Sequence, residues 1–269
     1  MNNDEYKMKS RLLQTFIKEI KYNNRNPNDN KVLKILNEFH TNPERNLLPG
    51  YKLYRCRIVN KNSKLGSEKN FWGYNSKNSF VPPFEKTSDM RANYKYIPYL
   101  YCANHPYTSI VEVRPRLGSR VSIATLQVKE EITLLDFTLH NMSRKMSEAK
   151  INLFSDLSYL FSKPIEFEDV TLDYIPTQYI AEYAKNLGYD GIAFESSLTP
   201  ELSEIKDSYI DTDRYNVVVF NYEKCVPVRS NLFEVFGQYT ECRQIDDDKE
   251  KIYVDMPINE MLEKAINGI

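Results

Sequence analysis

Six side chains stand out for the chemistry that their types allow: Arg55, Arg91, Tyr101, Glu112, Ser196 and Asn216, with Arg57 sharing the strand face of Arg55. A single carboxylate among arginines and hydroxyls suits a reaction in which a good leaving group departs and positive charge develops on a sugar. The glutamate would stabilise an oxocarbenium-like transition state. Arginines would neutralise a pyrophosphate, and the tyrosine could stack on a flat base. Each residue also has a plainer reading. Glu112 suits a helix-surface salt bridge, Arg91 a loop anchor and Tyr101 the core of an apolar strand. Ser196 and its neighbour Ser197 could simply end a strand or cap a turn.

Other chemistry finds no footing. With only 8 Gly, none clustered between a strand and a helix, the chain has neither a dinucleotide fingerprint nor a P-loop. There is no G-x-S-x-G elbow, HExxH or EF-hand loop. Cys56, Cys102, Cys225 and Cys242 are far apart and read as reduced, partly buried thiols, and no histidine falls at metal-ligand spacing, so no metal is expected. His40, His105 and His140 stand in unrelated contexts; only His105, in the turn before Glu112, is near the candidate residues.

The positioning elements are read from periodicity. The densest stretch is Arg91–Pro115: Ile97–Ala103 alternates as a half-buried strand, Asn104-His105-Pro106 turns the chain, and Thr108 or Ser109 caps a short helix with Glu112 near its first turns. Tyr51–Ile58 is a strand with Arg55 and Arg57 on one face, and one of the two is expected in a pocket where a guanidinium grips phosphate. Asn60–Asp89 is a long loop. Strands are expected at Ser122–Val128, Ile132–Phe137, Tyr189–Phe194, Asn216–Phe220 and Cys225–Val228, with helices at Ile151–Phe161 and from Pro176, in a first turn, to a stop at Gly188. Glu201–Asp213 reads as an acidic surface loop. Two amphipathic segments, Leu12–Ile20 and Val32–Phe39, precede all this, and Ile258–Ile266 closes the chain as a helix.

Composition sets the frame. The 269 residues are 41% hydrophobic and 27% charged with a formal net charge of −1, ordinary for a globular protein and without overall pull toward nucleic acid or anionic lipid. Tyrosine is in excess at 20 residues; codon bias explains this as simply as a stacking surface does. No run approaches a membrane span and no signal segment is evident, which places the protein in the cytoplasm.

Leu53-Tyr54-Arg55, Val81-Pro82-Pro83, Arg91-Ala92-Asn93, Ile97–Tyr101, Thr108–Val113, Tyr189–Ile192 with Ser196, and Asn216–Phe220 occur in the order seen in RES-domain proteins, a family named for its Arg, Glu and Ser. The chain resembles that family from about Leu53 to Val228. The resemblance implies one α/β domain with a mixed sheet, similar to the ADP-ribosyltransferase fold. It spans residues 47–242, between a helical extension (1–46) and a C-terminal tail with a short helix (243–269). It further implies cleavage of NAD+ at the nicotinamide–ribose bond with water or inorganic phosphate as acceptor, and a toxin held by an Xre-type antitoxin. Its residue assignments make Glu112, Arg55 and Ser196 catalytic, and Arg91, Tyr101, Arg57 and Asn216 NAD+-binding, with Arg57 a rival to Arg55 and Ser197 to Ser196. The competing readings are transfer of ADP-ribose to a macromolecule and a non-catalytic nucleotide-binding module. Two departures stand out. Asp89-Met90 and Tyr96 replace glycines common in the family, so the loop around Arg91 is expected to differ in shape.

Overall fold

The computed structural model describes residues 6–27, 29–38, 42–59, 73–138, 146–163, 170–198, 214–236, 242–243 and 252–253. In chain order these form α1 (Arg11–Tyr22), α2 (Lys31–Leu36), β1 (Glu44–Leu47), β2 (Lys52–Ile58), β3 (Leu100–Ala103), α3 (Pro106–Glu112), β4 (Arg120–Val128), β5 (Ile132–Asp136), α4 (Glu148–Ser162), α5 (Val170–Asn186), β6 (Gly191–Glu195), β7 (Tyr215–Val219) and β8 (Cys225–Glu234). Two further strands, β9 (Cys242–Arg243) and β10 (Ile252–Tyr253), pair only with each other. The expected acidic loop Glu201–Asp213, the expected helix Ile258–Ile266, and His40 and His140 lie outside the described residues, as does Asn60–Trp72 of the long loop.

The mixed α/β class expected is the one found. β1 to β8 make one sheet in the order β1-β5-β6-β7-β3-β2-β4-β8. Every neighbouring pair is antiparallel except β5 and β6, which run parallel because α4 and α5 carry the chain across between them. Strand alternation sorts the core. Leu135, Phe137, Ile192, Phe194, Val218 and Phe220 point to the helical face, where they pack with Leu153, Phe154, Leu157 and Phe161 of α4 and Ile180, Ala181 and Ala184 of α5. Leu13, Phe16 and Ile20 of α1, and Val32, Leu33 and Leu36 of α2, belong to that same cluster. Leu53, Leu100, Cys102, Ala124, Leu126, Leu134, Val217 and Val219 form a second core on the opposite face.

Two glycines are required by geometry. Gly188 ends α5 at φ 96°. A Cβ on Gly191 would lie 2.3 Å from the Val218 carbonyl oxygen, so β6 and β7 can meet only with glycine there.

Three local expectations are corrected. α3 starts at Pro106, with His105 rather than Thr108 or Ser109 as its cap: the ring Nδ1 accepts from the Tyr107 N–H at 3.1 Å. Proline suits this start because a first-turn N–H has no intrahelical partner to lose. Glu112 therefore ends the helix instead of lying near its beginning. Pro176 is inside α5 rather than in its first turn, because the helix already begins at Val170. β1, which pairs with the expected strand β5, was itself not foreseen: Glu-Arg-Asn-Leu is too short and polar to alternate visibly, yet Leu47 is buried.

Candidate active site

The sheet nearly parts between β3 and β2, which meet at one register pair, Tyr54 opposite Ala103. α3 lies over this seam. Its Ile110, and Val113 just after it, pack with Tyr54 against Cys56, Val121 and Ile123, which sets Glu112, at the end of the helix, over the strand ends. There Asn216, opposite Ala103 on one side and Phe194 on the other, points to the same face. Ser196 follows directly after β6.

These three meet. Glu112 Oε1 accepts hydrogen bonds from Ser196 Oγ and from Asn216 Nδ2, both at 2.7 Å. Such lengths suit charge-assisted bonds. Asn216 is 7% exposed whereas Glu112 is open to solvent, so a buried amide and a hydroxyl aim a carboxylate that a ligand can reach. Ser197 turns the other way and donates to the Ser162 carbonyl at 2.6 Å. Of the two serines, Ser196 is the one brought to Glu112.

Arg91 and Tyr101 shape the neighbouring loop. The Tyr101 hydroxyl donates to Asn93 Oδ1 at 2.7 Å and accepts from the Ala92 N–H at 3.0 Å, tying Arg91-Ala92-Asn93 to β3. Burial pushes that phenol well above its ordinary range. Asn93, itself buried, donates to the Ser88 and Tyr94 carbonyls at 3.0 and 2.9 Å. The Arg91 guanidinium donates to the Leu160 carbonyl at 2.8 Å and also to that of Lys163, satisfying the C-terminal carbonyls of α4. Burial lowers its pKa, and the nearby Tyr174, Asp173, Glu112 and Tyr101 act in the opposite sense. Arg91 thus anchors the loop to the end of α4.

Arg55 and Arg57 lie on the other face of β2 from Tyr54 and Cys56. Arg55 donates to the Phe80 carbonyl and Arg57 to that of Asn78, and the Arg57 guanidinium sits 3.8 Å from the Tyr74 ring centroid. Together they pin the 74–81 segment against the sheet. Burial, with Arg57 alongside, pulls the Arg55 guanidinium down to about 10; Cys102 and Tyr101 oppose that shift. Neither arginine donates to Glu112, Ser196 or Asn216 among the hydrogen bonds described.

A family model described as RES domain matches residues 52–231. This chain belongs to the RES-domain family. The matched span holds all the candidate residues, from Arg55 to Asn216. Among solved structures, the RES-domain chain is similar to a chain in the M. tuberculosis MbcT–MbcA toxin–antitoxin complex, at 13% identity, covering 77% of this chain and 93% of that one with a TM-score of 0.42. No curated protein matches it.

Two positioning residues of this RES domain escaped the sequence reading. One is Asn93, visible there only as part of a motif. The other is Gln178 on α5, 3% exposed, whose Nε2 donates to the Met90 and Asn93 carbonyls at 3.0 and 2.9 Å. The available signal was a glutamine in the buried helical stripe of Tyr174 and Ala181. The glycine replacements also resolve. Tyr96 takes φ 70°, the left-handed backbone expected of glycine, with the residue 55% exposed. Tyrosine bears that at a cost of roughly 1–2 kcal/mol. Among the described residues no helix is long and apolar enough to cross a membrane, and no three His, Cys, Asp or Glu side chains are grouped to hold a metal ion.

Proposed function

We propose that this protein degrades NAD+ by cleaving the bond between nicotinamide and ribose. The observation that carries the reading is the fixed carboxylate, Glu112, held through Oε1 by Ser196 and Asn216 in a RES domain. With Oε1 engaged, Oε2 takes the ribose hydroxyls, and the carboxylate faces C1′ as nicotinamide leaves and the ring acquires oxocarbenium character. Donors already in position mean that the carboxylate need not reorganise as that charge develops. Arg91 meets the pyrophosphate, while Arg55 and Arg57 act through the segment they hold. Tyr101 acts through the loop that carries Arg91. The acceptor, water or inorganic phosphate, adds to C1′ and gives ADP-ribose or its 1″-phosphate.

Such an activity depletes a central cofactor and is toxic in the producing cell. In this reading the protein is the toxin of a toxin–antitoxin pair, and an Xre-type antitoxin silences it by covering the open side of Glu112. Incubation of the purified protein with NAD+, with and without phosphate, tests the reaction by the appearance of free nicotinamide and of ADP-ribose or its phosphate. ADP-ribose accumulating on a macromolecule instead would favour transfer.

A further inference from the structure

The residues before α1 lie outside the matched family span, yet they reach the site. Tyr6 stacks on Tyr159 of α4, ring centroids 3.8 Å apart and planes 15° from parallel. Its hydroxyl donates to Asp156 Oδ1 at 2.6 Å, and Asp156 Oδ2 accepts from the Ser10 N–H at 2.7 Å. Ser10 is also the cap of α1. Asp156 is completely buried, so this carboxylate is tolerated only because those donors satisfy it. The segment is thereby fastened to α4.

Beside the stacked rings runs a cleft of ≈ 410 Å³, its open mouth included, lined by Tyr6, Ser155, Tyr159, Ser162, Glu195 and Ser196. Ser155, Tyr159 and Ser162 are spaced i, i+4, i+7 and so share one face of α4. Ser196 is common to the cleft and to the Glu112 triad. Whatever fills the cleft therefore sits one side chain from the proposed reacting carbon. Aromatic walls with hydroxyls at their edges suit a flat heteroaromatic ring. Among the described residues the lining contains the Glu195 carboxylate and no lysine or arginine, a set that suits a ring carrying positive charge better than a phosphate.

We propose that this cleft receives the cationic nicotinamide ring, with Tyr6, from outside the family domain, as one of its walls. The inference rests on the NAD+ reading above and adds a specificity residue to it. Steady-state kinetics of the full chain with NAD+ test it in Tyr6→Ala and in Ser155→Trp, which fills the cleft without touching the Tyr6–Asp156 bond. Both variants should raise KM roughly tenfold, within the range expected for losing one base–aromatic stack, with the loss in KM rather than kcat. Inhibition by nicotinamide should weaken in parallel while inhibition by AMP does not change. An unchanged KM in both variants, or weakened AMP inhibition with nicotinamide unaffected, overturns the proposal. Should the wild-type protein leave NAD+ intact, the functional reading fails on its own. Ligand-observed NMR with nicotinamide then reads the cleft directly: binding that Ser155→Trp abolishes supports it, and no binding overturns it.

Discussion

At the scale of single residues, Glu112 is defined less by its own type than by the two donors on one of its oxygens. Removing one donor to a charged group costs about 1.5–3 kcal/mol. Ser196→Ala should therefore lower kcat/KM for NAD+ by roughly 10- to 100-fold, and Ser197→Ala, which loses a bond to α4 instead, should cost clearly less. Equal losses in the two variants, measured as nicotinamide release, would remove Ser196 from its assigned place. Glu112, Ser196 and Asn216 were legible in the chain as residue types. That Ser196 rather than Ser197 reaches the carboxylate was not, because adjacent residues diverge only once the end of β6 is fixed against α4. The split of roles among the arginines was hidden for a similar reason. A guanidinium grips a backbone carbonyl as readily as a phosphate, and Leu160, Lys163, Asn78 and Phe80 come close to their arginines only through the fold.

Elements position these side chains, and the loop Arg91-Ala92-Asn93 shows how. Tyr101 holds it from the sheet, Gln178 from α5, and Arg91 itself grips the end of α4. Gln178→Ala removes the bonds to the Met90 carbonyl and to the Asn93 carbonyl, of which the latter keeps the Met90 N–H. The loss of two hydrogen bonds should destabilise the protein by about 1–3 kcal/mol and reduce activity beyond what the melting temperature alone explains. A circular-dichroism melt with parallel activity assays at a temperature where the variant remains folded separates the two effects. Most helices and strands could be read from periods of 3.6 and 2, since one face of each is buried. What escaped were features set by tertiary context: a four-residue edge strand at Glu44–Leu47, a histidine cap before Pro106, and a helix long enough to enclose Pro176.

For the whole molecule, the helices that precede the family span are part of the main core. Phe16 is fully buried among residues of the same cluster as α4 and α5, so Phe16→Ala should cost about 3–5 kcal/mol, and denaturant unfolding should remain a single transition. Separate unfolding of the first helices at unchanged global stability would contradict this. Four buried or partly buried tyrosines set the alkaline limit. Burial raises the phenols of Tyr6, Tyr99, Tyr101 and Tyr189 far above their ordinary values, with Asp156 adding to the effect at Tyr6, Glu182 at Tyr99 and Glu44 at Tyr189. An unfolded tyrosine titrates near pH 10. The stabilisation is therefore complete below about pH 10 and is lost as the pH rises toward the folded values, because the unfolded chain releases these protons first. Absorbance of tyrosinate at 295 nm should show a late class of tyrosines ionising together with loss of ellipticity, whereas smooth titration of all of them near pH 10 in a folded chain would contradict the burial.

The most direct test compares wild type with Glu112→Gln, which keeps shape and removes charge, by following free nicotinamide from NAD+ in the presence and absence of phosphate. The account predicts release by the wild-type protein and a fall of roughly 100-fold or more in the variant. Equal rates in the two proteins, or no nicotinamide from the wild type under either condition, would contradict it.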